Sequence, residues 1–134
     1  MNIVSFMGLF LISLPTFLVL DFAWLGFVAK DLYQAKLGHL LGPVNWAAAG
    51  IFYALFLLGL TFFATYPALQ ARSVEMAIIR GALFGFFCYM TYDLTNLATL
   101  KDWPLSVTVL DMMWGAFVGA VAAGVAVMLY SEFS

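Results

Sequence analysis

Charge is what this sequence has least of. Five Lys or Arg and seven Asp or Glu make up 9% of its 134 residues, whereas 66% are hydrophobic. A soluble domain carries about 25% charged residues, because it needs them to solvate its surface. So few cannot cover a water-exposed surface, and lipid must be the solvent for most of the chain. Basic residues are scarce and the formal net charge is −2. With no basic patch to neutralise phosphate, nucleic acid is excluded as a partner. The single Cys88 excludes an intramolecular disulfide, a Cys-based zinc cluster and a CxxC redox motif. One His and no dinucleotide fingerprint leave no metal or cofactor to be expected.

What charge there is falls in clusters. Met1–Leu20, Leu37–Ala71, Gly81–Tyr92 and Met112–Ser131 carry none. Lys30–Lys36, Arg72–Arg80 and Lys101–Asp102 carry most. About 20 mostly apolar residues cross a bilayer as a helix. Four spans follow, at 3–29, 46–66, 76–98 and 105–130. Only helices or closed barrels satisfy their backbone in lipid, and continuous rather than alternating apolar runs select helices. The expected fold is therefore an all-α integral membrane protein: one four-transmembrane-helix bundle over residues 1–134. Gly42-Pro43 precedes the second span, Pro67 follows it, and Trp103-Pro104 opens the fourth. Pro15, inside the first span, should kink it and free the carbonyl of Leu11. No basic segment precedes that span and Asp21 interrupts any cleavage zone, so it is read as retained rather than as a signal peptide.

Gly81-xxx-Gly85 and Gly115-xxx-Gly119 place small residues on single faces of spans three and four. Such faces let helices approach closely, within the chain or between copies in a homodimer. Trp24, Trp46, Trp103 and Tyr130 lie near span ends, where an aromatic belt is expected. The loop 30–45 places Leu32, Tyr33, Leu37, Leu40 and Leu41 roughly on one helical face. It reads as a short interfacial helix, serving as a connector or as a cap over a site. Lys30, Lys36 and Lys101 lie on one side of the membrane and Arg72 and Arg80 on the other, which sets no orientation.

Asp21, Asp93 and Asp111 stand within apolar spans. A charge at a helix centre costs roughly 2.5–3.5 kcal/mol on insertion, so such residues face the protein interior or a wet cavity. Let side A hold both termini and side B be the other. Counting from the charges that mark side B, each Asp lies roughly 12–14 Å along its helix at 1.5 Å per residue. The three can converge at one level in the side-B leaflet. Each has polar or aromatic companions at helical spacing. Trp24 follows Asp21 by three residues and Trp114 follows Asp111 by three, with Thr108 one turn before it. Tyr89, Tyr92, Asp93 and Asn96 share one face of span three. The words Val19-Leu20-Asp21-Phe22-Ala23-Trp24 and Val109-Leu110-Asp111-Met112-Met113-Trp114 agree at four of six positions, as an internal duplication would.

No Lys or Arg stands at that depth; Arg80 lies about 20 Å away along its helix. The trio therefore holds protons, binds a cation, or takes hydrogen bonds from Trp, Tyr, Asn and Thr donors. Two indoles beside two carboxylates are also the parts of an organic-cation box. The alternative is structural, with the polar residues gluing helices together. His39 reads as a solvated loop residue, with a proton relay to the acids or a metal ligand as its sharper alternatives. Cys88, with no His on its span, reads as a packing residue.

The stretches Leu20–Gly26, Leu37–Leu41, Asn45-Trp46, Thr91–Leu100 with Trp103-Pro104, and Asp111–Gly115 together resemble a family of small bacterial membrane proteins, domain of unknown function 2177. Tyr92-Asp93-Leu94-Thr95-Asn96 is the most specific part. The resemblance implies a four-helix protein of the bacterial inner (cytoplasmic) membrane and implies no activity. Three functions remain open. The first is binding or transport of protons or of a small amphipathic or cationic ligand. Its site would be Asp21, Trp24, Tyr89, Tyr92, Asp93, Asn96, Thr108, Asp111 and Trp114. Placement in one leaflet weighs against alternating access, which uses the midplane. The second is a membrane enzyme acting on a lipid or isoprenoid-like substrate, with Asp21, Asp93, Asp111 and His39 as acid–base candidates. The third is an accessory subunit of a larger membrane complex. The lipid bilayer is the one partner common to all three.

Overall fold

Asn2, Asn45 and Ser73 are short polar residues immediately before apolar runs, and each caps a long helix. Asn2 Oδ1 accepts from the backbone N–H groups of Val4 and Ser5, Asn45 Oδ1 from Ala48, and Ser73 Oγ from Met76. Pro104 starts the fourth. It has no N–H to lose, and its carbonyl accepts from both the backbone N–H and the hydroxyl of Thr108. In the computed structural model, which describes residues 1–133, the long helices are α1 (Ile3–Val28), α3 (Trp46–Gln70), α4 (Val74–Thr99) and α5 (Leu105–Phe133). The short α2 (Lys30–Leu37) lies between α1 and α3 and is followed by a 3₁₀ turn, Gly38–Leu40. The described residues contain no strand. All four long helices are long and apolar enough to cross a membrane. The interfacial helix expected in the loop 30–45 is α2.

Two prolines expected to bend or end helices do not end them. Pro15 lies within an unbroken α-helical run from Ile3 to Ala23. Pro67 was expected to follow the second span, yet α3 runs on to Gln70. The reason is local. A proline at position 67 cannot donate to the carbonyl of Phe63, four residues back. The preceding residues Thr61–Thr65 widen into a π-helical stretch, and Arg80 Nη1 of α4 donates to that Phe63 carbonyl at 3.2 Å. A neighbouring helix has supplied the missing donor, as membrane helices require. At the α3–α4 turn, Arg72 takes φ 53°. Its N–H bonds Leu69 O while Ser73 N–H bonds Ala68 O, the paired closure of a Schellman motif.

The glycine faces meet each other. α4 and α5 pack antiparallel, with Gly81 against Gly119 and Gly85 against Gly115. A Cβ on either Gly81 or Gly85 would strike a backbone carbonyl of α5. Apolar burial gives helices in lipid little reason to associate, so close backbone packing must hold them. Moving four residues toward side B along α4 brings Tyr89 over Gly115. Four more reach Asp93, beside Asp111. The glycine register thus sets which polar residues face each other. The remaining core gathers Leu9 and Phe17 of α1, Phe56, Leu57 and Leu60 of α3, and Val118, Ala122 and Ala126 of α5. It lies on the side-A side of the acids.

Candidate functional site: an acidic cavity toward one end of the bundle

α1 ends in a second π-helical stretch, Trp24–Val28, in which Ala29 N–H reaches Trp24 O at 2.7 Å. It directly precedes α2, and α2 brings Tyr33 back over the bundle. The Tyr33 hydroxyl donates to Asp111 Oδ1 at 2.9 Å and accepts from Trp24 Nε1 at 3.1 Å. Burial, then the neighbouring Asp111 charge, hold the Tyr33 phenol above its usual range. Asp21 is buried, and its Oδ2 accepts from the Tyr53 hydroxyl of α3 at 2.8 Å. The Trp24 and Trp114 rings stack with centroids 4.6 Å apart and planes 5° from parallel. Such a pair contributes about 0.5–1.5 kcal/mol beyond its burial.

These groups surround a mostly apolar, open-sided cavity of about 680 Å³. Asp21, Asp93 and Asp111 all line it. No Lys or Arg does, and the described residues form no three-residue His, Cys, Asp or Glu cluster able to hold a metal. Asp93 has no exposed surface, and neither of its oxygens finds a hydrogen-bond donor among the described residues. Its carboxyl neighbour is Asp111. Trp103 Nε1 and Trp114 Nε1 are likewise buried without an acceptor.

The structure brings seven of the nine residues expected in a ligand site to the cavity: Asp21, Trp24, Tyr89, Tyr92, Asp93, Asp111 and Trp114. Asn96 and Thr108 do not line it. The Thr108 hydroxyl bonds back to Pro104, and Asn96 stands one turn beyond Tyr92. His39 is exposed in the 3₁₀ turn and does not line the cavity. Cys88 does line it.

Sequence reasoning missed Tyr33 and Tyr53 as partners of the acids and read Trp103 as part of an aromatic belt. Trp46 is 67% exposed, as a belt residue would be, but Trp103 is buried against Leu37 and Val107 and faces Tyr92 edge-on. Tyr33 carried a signal, since the loop's apolar face suggested a cap. Tyr53 carried none, because α3 is apolar all round.

Fold and site define a helical membrane protein with four candidate spans and a carboxylate-lined cavity toward one end. The chain belongs to the family described as predicted membrane protein (DUF2177), which matches residues 6–128. No curated protein and no solved structure shows significant similarity to it.

Proposed function

We propose that the chain binds a small amphipathic or cationic molecule in this cavity, as a membrane binding or transport protein. One observation carries the reading: three carboxyls and a stacked indole pair surround an apolar cavity with no basic side chain in its lining. Carboxylates and indole faces both attract positive charge, and apolar walls hold the rest of such a ligand. A dry helix contact would have served structural glue better than an open-sided cavity. The membrane we propose is the bacterial inner membrane, on the family resemblance.

A lipid-directed enzyme is the second reading, favoured by the adjacency of Asp93 and Asp111. Two neighbouring carboxyls can act as acid and base. Conversion of a membrane lipid by the purified protein, lost in Asp93→Asn, would establish it over simple binding.

The test of binding uses protein in lipid nanodiscs, with tetraphenylphosphonium as the cation and triphenylphosphine oxide as its neutral analogue. Tetraphenylphosphonium should quench tryptophan fluorescence saturably, and the oxide should not. Asp93→Asn and Asp111→Asn should keep the fold and weaken binding at least about tenfold, the loss of one desolvated charge contact. Equal binding of both probes, or Asn variants that bind as the parent does, would overturn the proposal. Asn variants that no longer accumulate in the membrane would make the acids structural.

A further inference from the structure

Four buried polar atoms lack partners among the described residues, and all four belong to one cavity. They are both carboxyl oxygens of Asp93 and the indole nitrogens of Trp103 and Trp114. Asp93 is 0% exposed and the two Trp side chains 9% each. A carboxylate only accepts and an indole N–H only donates. Each such group left unpaired loses the hydrogen bonds it had to water, and a charged one loses most. The Asp111 carboxyl beside Asp93 offers it no donor as an anion, and Asp111 already accepts from Tyr33. Two adjacent carboxylates repel, so either one keeps a proton and shares it with the other, which satisfies only one oxygen of each, or a positive donor sits between them.

The unmet groups therefore specify a ligand head with both characters. It must give N–H donors and positive charge to Asp93 and Asp111. It must also present an acceptor to the Trp103 indole N–H, whereas that of Trp114 has the Asp21 carboxylate close by. An amine with a nearby hydroxyl does both. A phosphate would supply acceptors, but it would place negative charge among three carboxyls with no Lys or Arg in the lining.

The cavity is also open in a particular direction. The side-B half of α3, Trp46–Leu60, packs sparsely on α4. Phe52 of α3 and Thr91, Tyr92 and Thr95 of α4 line the cavity and are also exposed on the outer surface. Tyr92 is 55% exposed. The Thr91 hydroxyl donates to Phe87 O and that of Thr95 to Tyr92 O, so neither threonine shows lipid an unpaired hydroxyl. This opening lies within the apolar length of both helices, where acyl chains would stand in a bilayer.

From these two features we infer that the cavity holds the head of an amino-alcohol amphiphile. The head reaches it sideways from the side-B leaflet between α3 and α4, and the chain stays among the lipids. The inference rests on the binding function proposed above and names its ligand class.

The test measures dissociation constants in nanodiscs for four probes: 2-(dodecylamino)ethanol, dodecylamine, 2-(methylamino)ethanol and dodecyl phosphate. The amino alcohol should bind most tightly. Dodecylamine, lacking the hydroxyl, should bind about fivefold more weakly. The methyl analogue should be far weaker, and dodecyl phosphate should not bind. Trp103→Phe or Trp114→Phe keeps an aromatic ring and removes a donor, and at least one should abolish the fivefold preference. Ala49→Trp adds bulk where α3 lines the cavity and should slow association of the dodecyl probes more than that of the chainless 2-(methylamino)ethanol. A preference that survives both Trp variants overturns the assigned head, and an unchanged association rate in Ala49→Trp overturns the sideways route. If tetraphenylphosphonium binds and the amino alcohol shows no advantage, the ligand class falls while the binding function stands. If no probe binds, both fall.

Discussion

The hydroxyl of Tyr33 donates to Asp111 at 2.9 Å, joining the short helix α2 to the middle of the cavity across 78 residues of sequence. The same oxygen accepts from Trp24 at 3.1 Å. One phenol thus ties the cap to the two helices that carry the stacked indoles, α1 directly and α5 through Asp111. Tyr33→Phe removes both bonds and keeps the ring. A hydrogen bond to a charged group contributes about 1.5–3 kcal/mol. The expected result is faster amide hydrogen exchange confined to Lys30–Leu37, with exchange in α4 and α5 unchanged. Uniformly faster exchange would show that the tie holds the whole bundle rather than the cap.

Alkaline pH should act through the same residue. The Tyr33 phenol lies above its ordinary value of 10.0, by burial first and the Asp111 charge second. In the folded state the neutral form is favoured, so this stability is fully present below about pH 10, the unfolded value. It declines as pH rises from there toward the folded value. Cap docking, followed by Trp24 fluorescence, should be flat between pH 7 and 9 and weaken above about pH 10. Tyr33→Phe should flatten that alkaline limb. A variant that keeps the limb would assign it to another group.

Glycine substitutions should divide by their surroundings. A Cβ on Gly85 would meet the Gly115 backbone, which cannot give without parting α4 from α5. Gly85→Ala should therefore lower the unfolding temperature in detergent strongly, by a loss of about 1–3 kcal/mol or more. Gly50, within α3, has nothing within 4 Å of its Cβ position. There Gly50→Ala should stabilise by up to about 1 kcal/mol, the helix-propensity difference. Equal effects at both sites would refute the close-packed glycine interface.

The Arg80–Phe63 bond and Pro67 form a testable pair. Arg80→Leu leaves the Phe63 carbonyl without its 3.2 Å donor and should cost about 1 kcal/mol. Pro67→Ala restores a backbone N–H four residues on, which can take over that carbonyl. In a double-mutant cycle, Arg80→Leu should cost less in the Pro67→Ala background. Strict additivity would mean that Arg80 acts elsewhere.

Among the described residues Tyr53 is the sole donor to Asp21 by hydrogen-bond geometry, at 2.8 Å. Tyr53→Phe should strip that bond without changing the cavity's volume. Thermal stability should fall by about 1.5–3 kcal/mol, the worth of a bond to a charged group. No fall would mean that the neighbouring Trp114 N–H takes over the carboxylate.

The sequence by itself determined the solvent, the number of long helices and the level of the acids. Charge poverty excludes a water-exposed surface, and each apolar run is long enough to cross lipid unaided. The depth of Asp21, Asp93 and Asp111 follows from helical rise alone, because a helix converts residue count directly into distance. Which residues pair does not follow, because it depends on rotation and register between helices. The interlock of Gly81 and Gly85 with Gly115 and Gly119 set that register. It brought Asp93 beside Asp111, while α2 and α3 turned Tyr33 and Tyr53 toward the acids. α3 has apolar residues on every face, so nothing in its pattern marked Tyr53 as facing inward. Pro67 looked like a helix stop until Arg80, on another helix, supplied its missing bond. Twelve charges among 134 residues placed the protein in lipid; only helix packing made three of them walls of one cavity.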